Sequence, residues 1–218
     1  MLLSEKANNK ENKFIVALDG PSAAGKGLIG SMLAEEFLLT YVQSSLVYRG
    51  LAYLCLQKNI SPDDIASVID LSRAEDIIAK IRGVDLNIEK IGEAASKISV
   101  IAEVRTNLGI YLKNLIMITP RIIMEGRDIG TVVAPNADLK IFITASSEIR
   151  AQRRFKQLRL EGKDCMFDDV LKLLEDRDKR DESRSSAPLK VAADALVIDT
   201  SEFTPLQVVQ AVKNFINK

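Results

Sequence analysis

The chain contains no histidine and only two cysteines among its 218 residues. Without an imidazole, every mechanism built on a Ser-His-Asp triad or on His-ligated zinc is excluded at the outset. Cys55 and Cys165 lie far apart. They offer neither metal-site spacing nor a disulfide framework and read as reduced thiols. Net charge is missing as well, since 30 basic residues cancel 30 acidic ones. A balanced chain has no general pull toward nucleic acid or an anionic membrane, so any basic cluster must serve a local purpose. Long apolar runs are also absent. The stretch from Leu115 to Met124 is broken by Pro120 and Arg121, and the opening MLLSEKANNKENK meets charge too early for a secretory signal. Residues 1–13 are expected to form a flexible leader, and the protein to be cytoplasmic with no membrane or nucleic-acid partner.

What is present is 47% hydrophobic residues, enough to bury a proper core. From Phe14 the run FIVAL is short, apolar and partly β-branched, and Asp19-Gly20-Pro21 ends it, as for a buried strand entering a loop. RIIMEG, LKIFITA and ALVIDT repeat the pattern, with helix-like stretches between them. This alternation predicts an α/β fold, a parallel sheet flanked by helices, as one domain over residues 14–218. From Ala52 to Thr119 the texture is helical, as in SRAEDIIAKI, with little strand signal, so an inserted helical unit is expected at about 52–105. Near the end, Thr204 before Pro205 reads as an N-cap followed by proline in the first turn of a terminal helix.

The stretch LDGPSAAGKGL carries the strongest motif. Gly20 and Gly25 bracket four residues, Lys26 follows, and a buried strand and an amphipathic helix flank the whole. Glycines let backbone N–H groups turn inward around phosphate, the helix N-terminus adds positive potential, and Lys26 supplies a point charge. Gly20, Pro21, Ser22, Ala23, Ala24, Gly25, Lys26, Gly27 and Leu28 are the candidate nucleotide-binding residues. No Asn-Lys-x-Asp stretch exists to read guanine, which points to ATP. Gly27 and Leu28 offer no hydroxyl where such loops usually have one. A magnesium ion would then rely on waters held by phosphate oxygens and by acids at strand ends, Asp19 or Glu125. Leu28 packing on the core is the competing expectation.

A second site is expected where RIIMEG runs into GRDIGT, which puts Arg127 and Asp128 at the carboxyl edge of the sheet. A carboxylate beside a guanidinium suits cytosine, accepting from its exocyclic amine and donating to its carbonyl or ring nitrogen. After Phe167 a helix carries Val170 and Leu174 on a stripe that continues as Arg177, Asp181 and Arg184, with Arg180 alongside. Charges on a face that begins in the core need partners, and a phosphorylated sugar would provide them. Arg150, Arg153 and Arg154, with Gln157 beyond, form a comparable basic array read as a mobile lid at about 150–165 that closes over the migrating phosphoryl group.

The stretches DGPSAAGKG, VYRGLA, EGRDIGTVVAPNADLKIFITASSEIRAQRR and DRDKRDESRSSAPLKVAADALVIDTS together resemble bacterial cytidylate kinases, from about Phe14 to the C-terminus. That resemblance implies a P-loop nucleoside monophosphate kinase that moves the ATP γ-phosphoryl group to CMP or dCMP with Mg2+. By motif it places ATP on Gly20–Gly27 and cytosine on Arg127 and Asp128. Ribose and phosphate fall to Arg177, Asp181 and Arg184, with Ser44, Arg49 and Arg105 added to the CMP site, and Lys26, Arg150, Arg153 and Arg154 act on the transferred group. The chain departs from the family at GPSAAGKGL, at QSSLVYR and at Glu125, and it lacks a recognisable small sheet in the insertion. A kinase of another monophosphate such as UMP, or a weakly active nucleotide-sensing module, are the alternative readings. A monomer is expected.

Overall fold

The computed structural model describes residues 3–9, 11–73 and 77–217. Its elements run α1 (Leu3–Asn8), β1 (Phe14–Asp19), α2 (Lys26–Phe37), β2 (Thr40–Gln43), α3 (Ser45–Gln57), α4 (Ile65–Ser72), α5 (Ile77–Lys80), α6 (Glu89–Ile98) and α7 (Ala102–Ile118). There follow β3 (Arg121–Gly126), a single π-helical turn (Ile129–Val133), β4 (Leu139–Thr144), α8 (Ser147–Leu160), α9 (Phe167–Ser183), β5 (Leu196–Asp199) and α10 (Pro205–Ile216).

The sheet has five strands in the order β2-β3-β1-β4-β5, every pairing parallel. Helices cover both faces, which is why the central strand reads as an unbroken apolar run: all six residues of β1 are buried. Its side chains alternate between two cores. Ile15 and Ala17 meet Leu51, Leu108, Leu112 and Met124 on one face. Phe14, Val16 and Leu18 pack with Leu33 of α2 and Val208, Val212 and Ile216 of α10 on the other. Thr204 caps α10 as its sequence predicts, accepting from the Gln207 N–H while Gln207 accepts from the Thr204 N–H.

β2 has no counterpart among the strands expected from sequence. It is a four-residue edge strand, TYVQ, with no fully buried position, so the apolar signal that marks the others is missing. The helical unit runs from α3 through α7, beyond both ends of the expected 52–105, and positions 74–76 of it lie outside the described residues. No helix among the described residues is long and apolar enough to cross a membrane.

The leader departs from expectation. Positions 1, 2 and 10 lie outside the described residues, but α1 is helical and Ala7 is buried. Arg121, which sequence shows only as a charge interrupting an apolar stretch, clamps the segment. Its guanidinium donates to the carbonyls of Lys6 (3.1 Å), Ala7 (2.8 Å), Asn9 (2.8 Å), Asn12 (3.2 Å) and Phe37 (2.6 Å) and lies over the Phe14 ring. Lys6 adds an ion pair to Asp138 at 2.6 Å. Arg121→Ala is expected to lower the unfolding free energy by about 2 kcal/mol, because several carbonyls lose a charged donor together. Urea denaturation checks this, and an unchanged midpoint would mean the clamp contributes nothing.

Candidate active site

β1 delivers Asp19 to the carboxyl edge of the sheet, where the chain turns at once into the glycine loop. Gly20 adopts φ 149°, and a Cβ there would sit 1.9 Å from the Ile143 carbonyl oxygen, so only glycine fits. Gly25, at φ 94°, precedes α2 and offers no side-chain cap, which leaves the first-turn amides of that helix available to an anion. The loop is tied to its surroundings at two points: Ser22 O accepts from Arg150 of α8 (3.2 Å) and Ala24 O accepts from the hydroxyl of Thr200, just past β5 (3.3 Å).

Lys26 is buried, and its ammonium donates to Pro21 O at 2.7 Å. Burial, and after it the nearby Arg127 guanidinium, lowers its pKa to about 7. The loop opens on a cavity of about 360 Å³ whose wall includes Lys26, Gly27, Leu28, Glu125, Arg153 and Arg154. Leu28 is 56% exposed and faces this cavity, which overturns the expectation that it packs on the core. Asp19 is committed elsewhere. Its two oxygens accept from the backbone N–H groups of Ile129 (2.9 Å) and Gly130 (2.7 Å), and burial raises its pKa to about 6 against those two bonds.

At the end of β3, Arg127 and Asp128 are adjacent in sequence, yet their side chains take different partners. Arg127 donates to Asp181 on α9 at 3.0 Å, while Asp128 accepts from Arg105 of α7 and lies 3.7 Å from Arg184. Arg184 is also 3.4 Å from Asp181. Burial alone would raise the Asp181 pKa, but Arg127, Arg177 and Arg184 together hold it below the usual carboxylate range. These groups surround a small space of about 50 Å³. Ser44, buried at the start of α3, also borders it, and a Cβ on Gly126 would fall 2.7 Å from the Ser44 hydroxyl. Arg49 reaches the same space from α3 while donating to Leu86 O at 2.6 Å. Arg177 completes the ring without an ion pair among the described residues, and its buried Nε has no partner.

The three lid arginines separate. Arg153 and Arg154 line the large cavity, but Arg150 does not. Arg150 is buried, donating to Ala145 O (2.9 Å) and Ser22 O (3.2 Å) and pairing with Asp178 at 2.6 Å, so it braces α8 against the loop and α9 rather than forming part of a mobile flap. Arg153 is held by Thr200 through its hydroxyl (2.9 Å) and carbonyl (2.6 Å). Arg154 crosses to Glu89 of α6 at 2.7 Å. Arg180 makes a second link to that helix, donating to the Ser96 hydroxyl at 3.2 Å. The helical stripe Val170–Leu174 continues through Asp178 and Asp181. Asp178 is not among the residues the sequence motifs single out, although its place four residues after Leu174 signals it.

The cytidylate kinase family model matches residues 16–218. Cytidylate kinase of Rickettsia bellii is 56% identical over 216 residues, covering 99% of this chain and 98% of that protein. Cytidylate kinase of Rickettsia akari is 54% identical over 214 residues, covering 98% and 96%. Among solved structures, an uncharacterized protein from Eubacterium ventriosum superposes with a TM-score of 0.57 at 13% identity, covering 94% of this chain and 99% of that one. Shikimate kinase from Bacteroides thetaiotaomicron superposes with a TM-score of 0.50 at 12% identity, with the same coverage of each chain. These two likenesses concern the fold alone. With a family match over nearly its whole length and relatives above half identity, the chain belongs to the cytidylate kinase family.

Proposed function

We propose a division of labour for the reaction of this CMP kinase, in which ATP is the phosphoryl donor. The loop Gly20–Gly27 cradles the ATP phosphates and Lys26 carries the charge to them. Arg127 and Asp128 read cytosine; Arg177, Asp181 and Arg184 hold ribose and phosphate, with Ser44, Arg49 and Arg105 completing the acceptor site. The observation that carries this reading is the arginine-rich cavity beside the P-loop, which is built for a small anion with a polar base. No general base is required, because the acceptor phosphate is already ionised and the task is alignment and charge neutralisation. Arg153 and Arg154 face the transferred group, and Arg150 acts as a positioning residue.

Among the described residues there is no cluster of three or more Asp, Glu, Cys or His side chains that could cage a metal. That fits Mg2+, which keeps its waters and binds chiefly through nucleotide phosphates. Glu125 is the carboxylate on the cavity wall placed to receive that hydration shell, more so than Asp19 with both oxygens already bonded. When bound with ATP, the ion neutralises charge on the outer phosphates. The unpaired thiols of Cys55 and Cys165 support a cytoplasmic setting.

A coupled ADP-release assay across CMP, dCMP, UMP, AMP and GMP tests the reading. CMP and dCMP are expected to be turned over best, and Asp128→Asn to cut kcat/KM for CMP by about thirtyfold while ATP affinity stays within about twofold. Equal turnover of UMP, or no turnover at all, would sink it.

A further inference from the structure

Three side chains of the sheet edge converge on one face of α2. Tyr41 and Gln43 are two apart on β2 and share a side, and Glu125 lies opposite Gln43 in the β2–β3 register. The Gln43 amide donates to the Tyr41 hydroxyl at 2.9 Å, and that hydroxyl donates to Glu125 Oε2. All three meet at Gly27: a Cβ there would lie 3.7 Å from the Gln43 nitrogen, 3.7 Å from the Tyr41 oxygen and 3.8 Å from Glu125 Oε2. One turn further on, a Cβ on Gly30 would fall 2.7 Å from the Tyr41 ring. Gly30 lies outside the phosphate loop, and glycine inside a helix costs about 1 kcal/mol relative to alanine. Its physical reason here is the seat it gives that ring.

Glu125 and Gln43 line the cavity that holds Lys26, Gly27 and Leu28, whereas the Tyr41 ring stays behind them against α2. Glu125 is close enough to Lys26 to act on its charge. A carboxylate on that wall with no other partner would be drawn to the ammonium and would compete with phosphate for it. The tyrosine hydroxyl is a neutral donor that occupies one carboxylate oxygen, and among the described residues Glu125 takes no other side-chain hydrogen bond. Its second oxygen is left for water.

We propose that Tyr41 is a positioning residue that fixes Glu125 toward the hydration shell of the magnesium ion carried by ATP and away from Lys26. The proposal rests on the kinase reading above for the identity of that ion. It explains how a loop with no hydroxyl at positions 27 and 28 orders the metal side of its nucleotide: the acceptor for the ion's waters comes from β3, held in place from β2.

The test is ATP binding by calorimetry with and without Mg2+, in the absence of CMP, on four proteins: wild type, Tyr41→Phe, Glu125→Gln and the double variant. In the wild type magnesium is expected to strengthen ATP binding. Tyr41→Phe should cut that gain by about fivefold, Glu125→Gln should cut it at least as much, and Tyr41→Phe should add nothing in the Glu125→Gln background. An equal effect of Tyr41→Phe in both backgrounds would mark a general packing role and overturn the proposal. So would an undiminished gain in either single variant, or a wild type whose ATP affinity ignores magnesium. Should Tyr41→Phe fail to fold, an undiminished magnesium gain in Glu125→Gln still overturns the proposal. A failure to phosphorylate CMP is a separate result, read in the turnover assay, and bears on the kinase reading alone.

Discussion

Lys26→Met is expected to lower turnover by on the order of a thousandfold and, at the same time, to make the unliganded protein more stable below neutral pH. Both effects come from one buried ammonium. Among the described residues it has a single hydrogen bond, to Pro21 O, and burial holds its pKa near 7 against an ordinary 10.5. The folded chain therefore binds fewer protons than the unfolded chain between those two values, and the lysine's contribution to stability rises with pH across that window. Below it the full penalty applies, about 5 kcal/mol if the whole shift is counted. Methionine removes the charge and keeps much of the volume. Denaturation from pH 6 to pH 9 should show the variant ahead by about 2 kcal/mol at pH 6, the lost bond to Pro21 offsetting part of the gain, with the lead shrinking as pH rises. Parallel stability curves, or turnover within tenfold of wild type, would contradict this account. On the proposed assignment the ATP phosphates are this ammonium's partner, so the lysine is unfavourable for folding and favourable for binding.

Arg177→Met and Arg184→Met should part company in the same way. Five guanidinium groups, those of Arg49, Arg105, Arg127, Arg177 and Arg184, border the small acceptor cavity against the carboxylates of Asp128 and Asp181. Positive charge is left over, and an incoming nucleotide phosphate is the anion that balances it. Arg177 bears most of that imbalance: burial and then Arg127 bring its pKa down to about 10. Removing it should leave the melting point of the free protein unchanged or raised, while CMP affinity falls about a hundredfold. Arg184 sits between Asp128 and Asp181, so its loss leaves each buried carboxylate with one paired guanidinium, Arg105 or Arg127, and should cost about 2 kcal/mol before any ligand is added. Lys179→Ala, on the exposed face of α9, is the control and should change neither. Thermal melts with and without CMP decide the matter. An Arg177 variant that melts as early as the Arg184 variant, or that keeps CMP affinity within about threefold, would reject the charge-balance argument.

The parts of this molecule that sequence reveals are those written in contiguous residues. β1, β3 and β4 are announced by apolar runs because the layers around the sheet leave them little water; β5 is an edge strand with only Ile198 buried, yet the run ALVID still marks it, and the glycine loop is announced by spacing. β2 escapes because an edge strand of Thr, Tyr, Val and Gln carries no such mark. The acceptor site is legible as a set of residue types but not as a set of pairs. Arg127 and Asp128 suggest one another by adjacency, yet each pairs with a side chain from a different helix. The Arg121 clamp is less visible still, since most of its partners are backbone carbonyls more than 100 positions away and a carbonyl has no residue identity. The Tyr41–Glu125 contact joins residues 84 positions apart and comes into view only once β2 is placed beside β3.

Asp19 has a mechanical consequence. It is the last residue before the donor loop, and its carboxylate grips the two amides that open the π-helical turn just after Arg127 and Asp128. Since Asp19 also lies level with Gly126 in the β1–β3 register, the roots of the donor and acceptor loops are riveted together on the most deeply buried pair of strands. Neither root can slide past the other while those bonds hold. The α8–α9 hairpin and the α3–α7 unit, which meet across the opening through Arg154–Glu89 and Arg180–Ser96, lie outside this rivet. On the proposed assignment of the two sites, the span between the two nucleotides is a gauge cut when the chain folds.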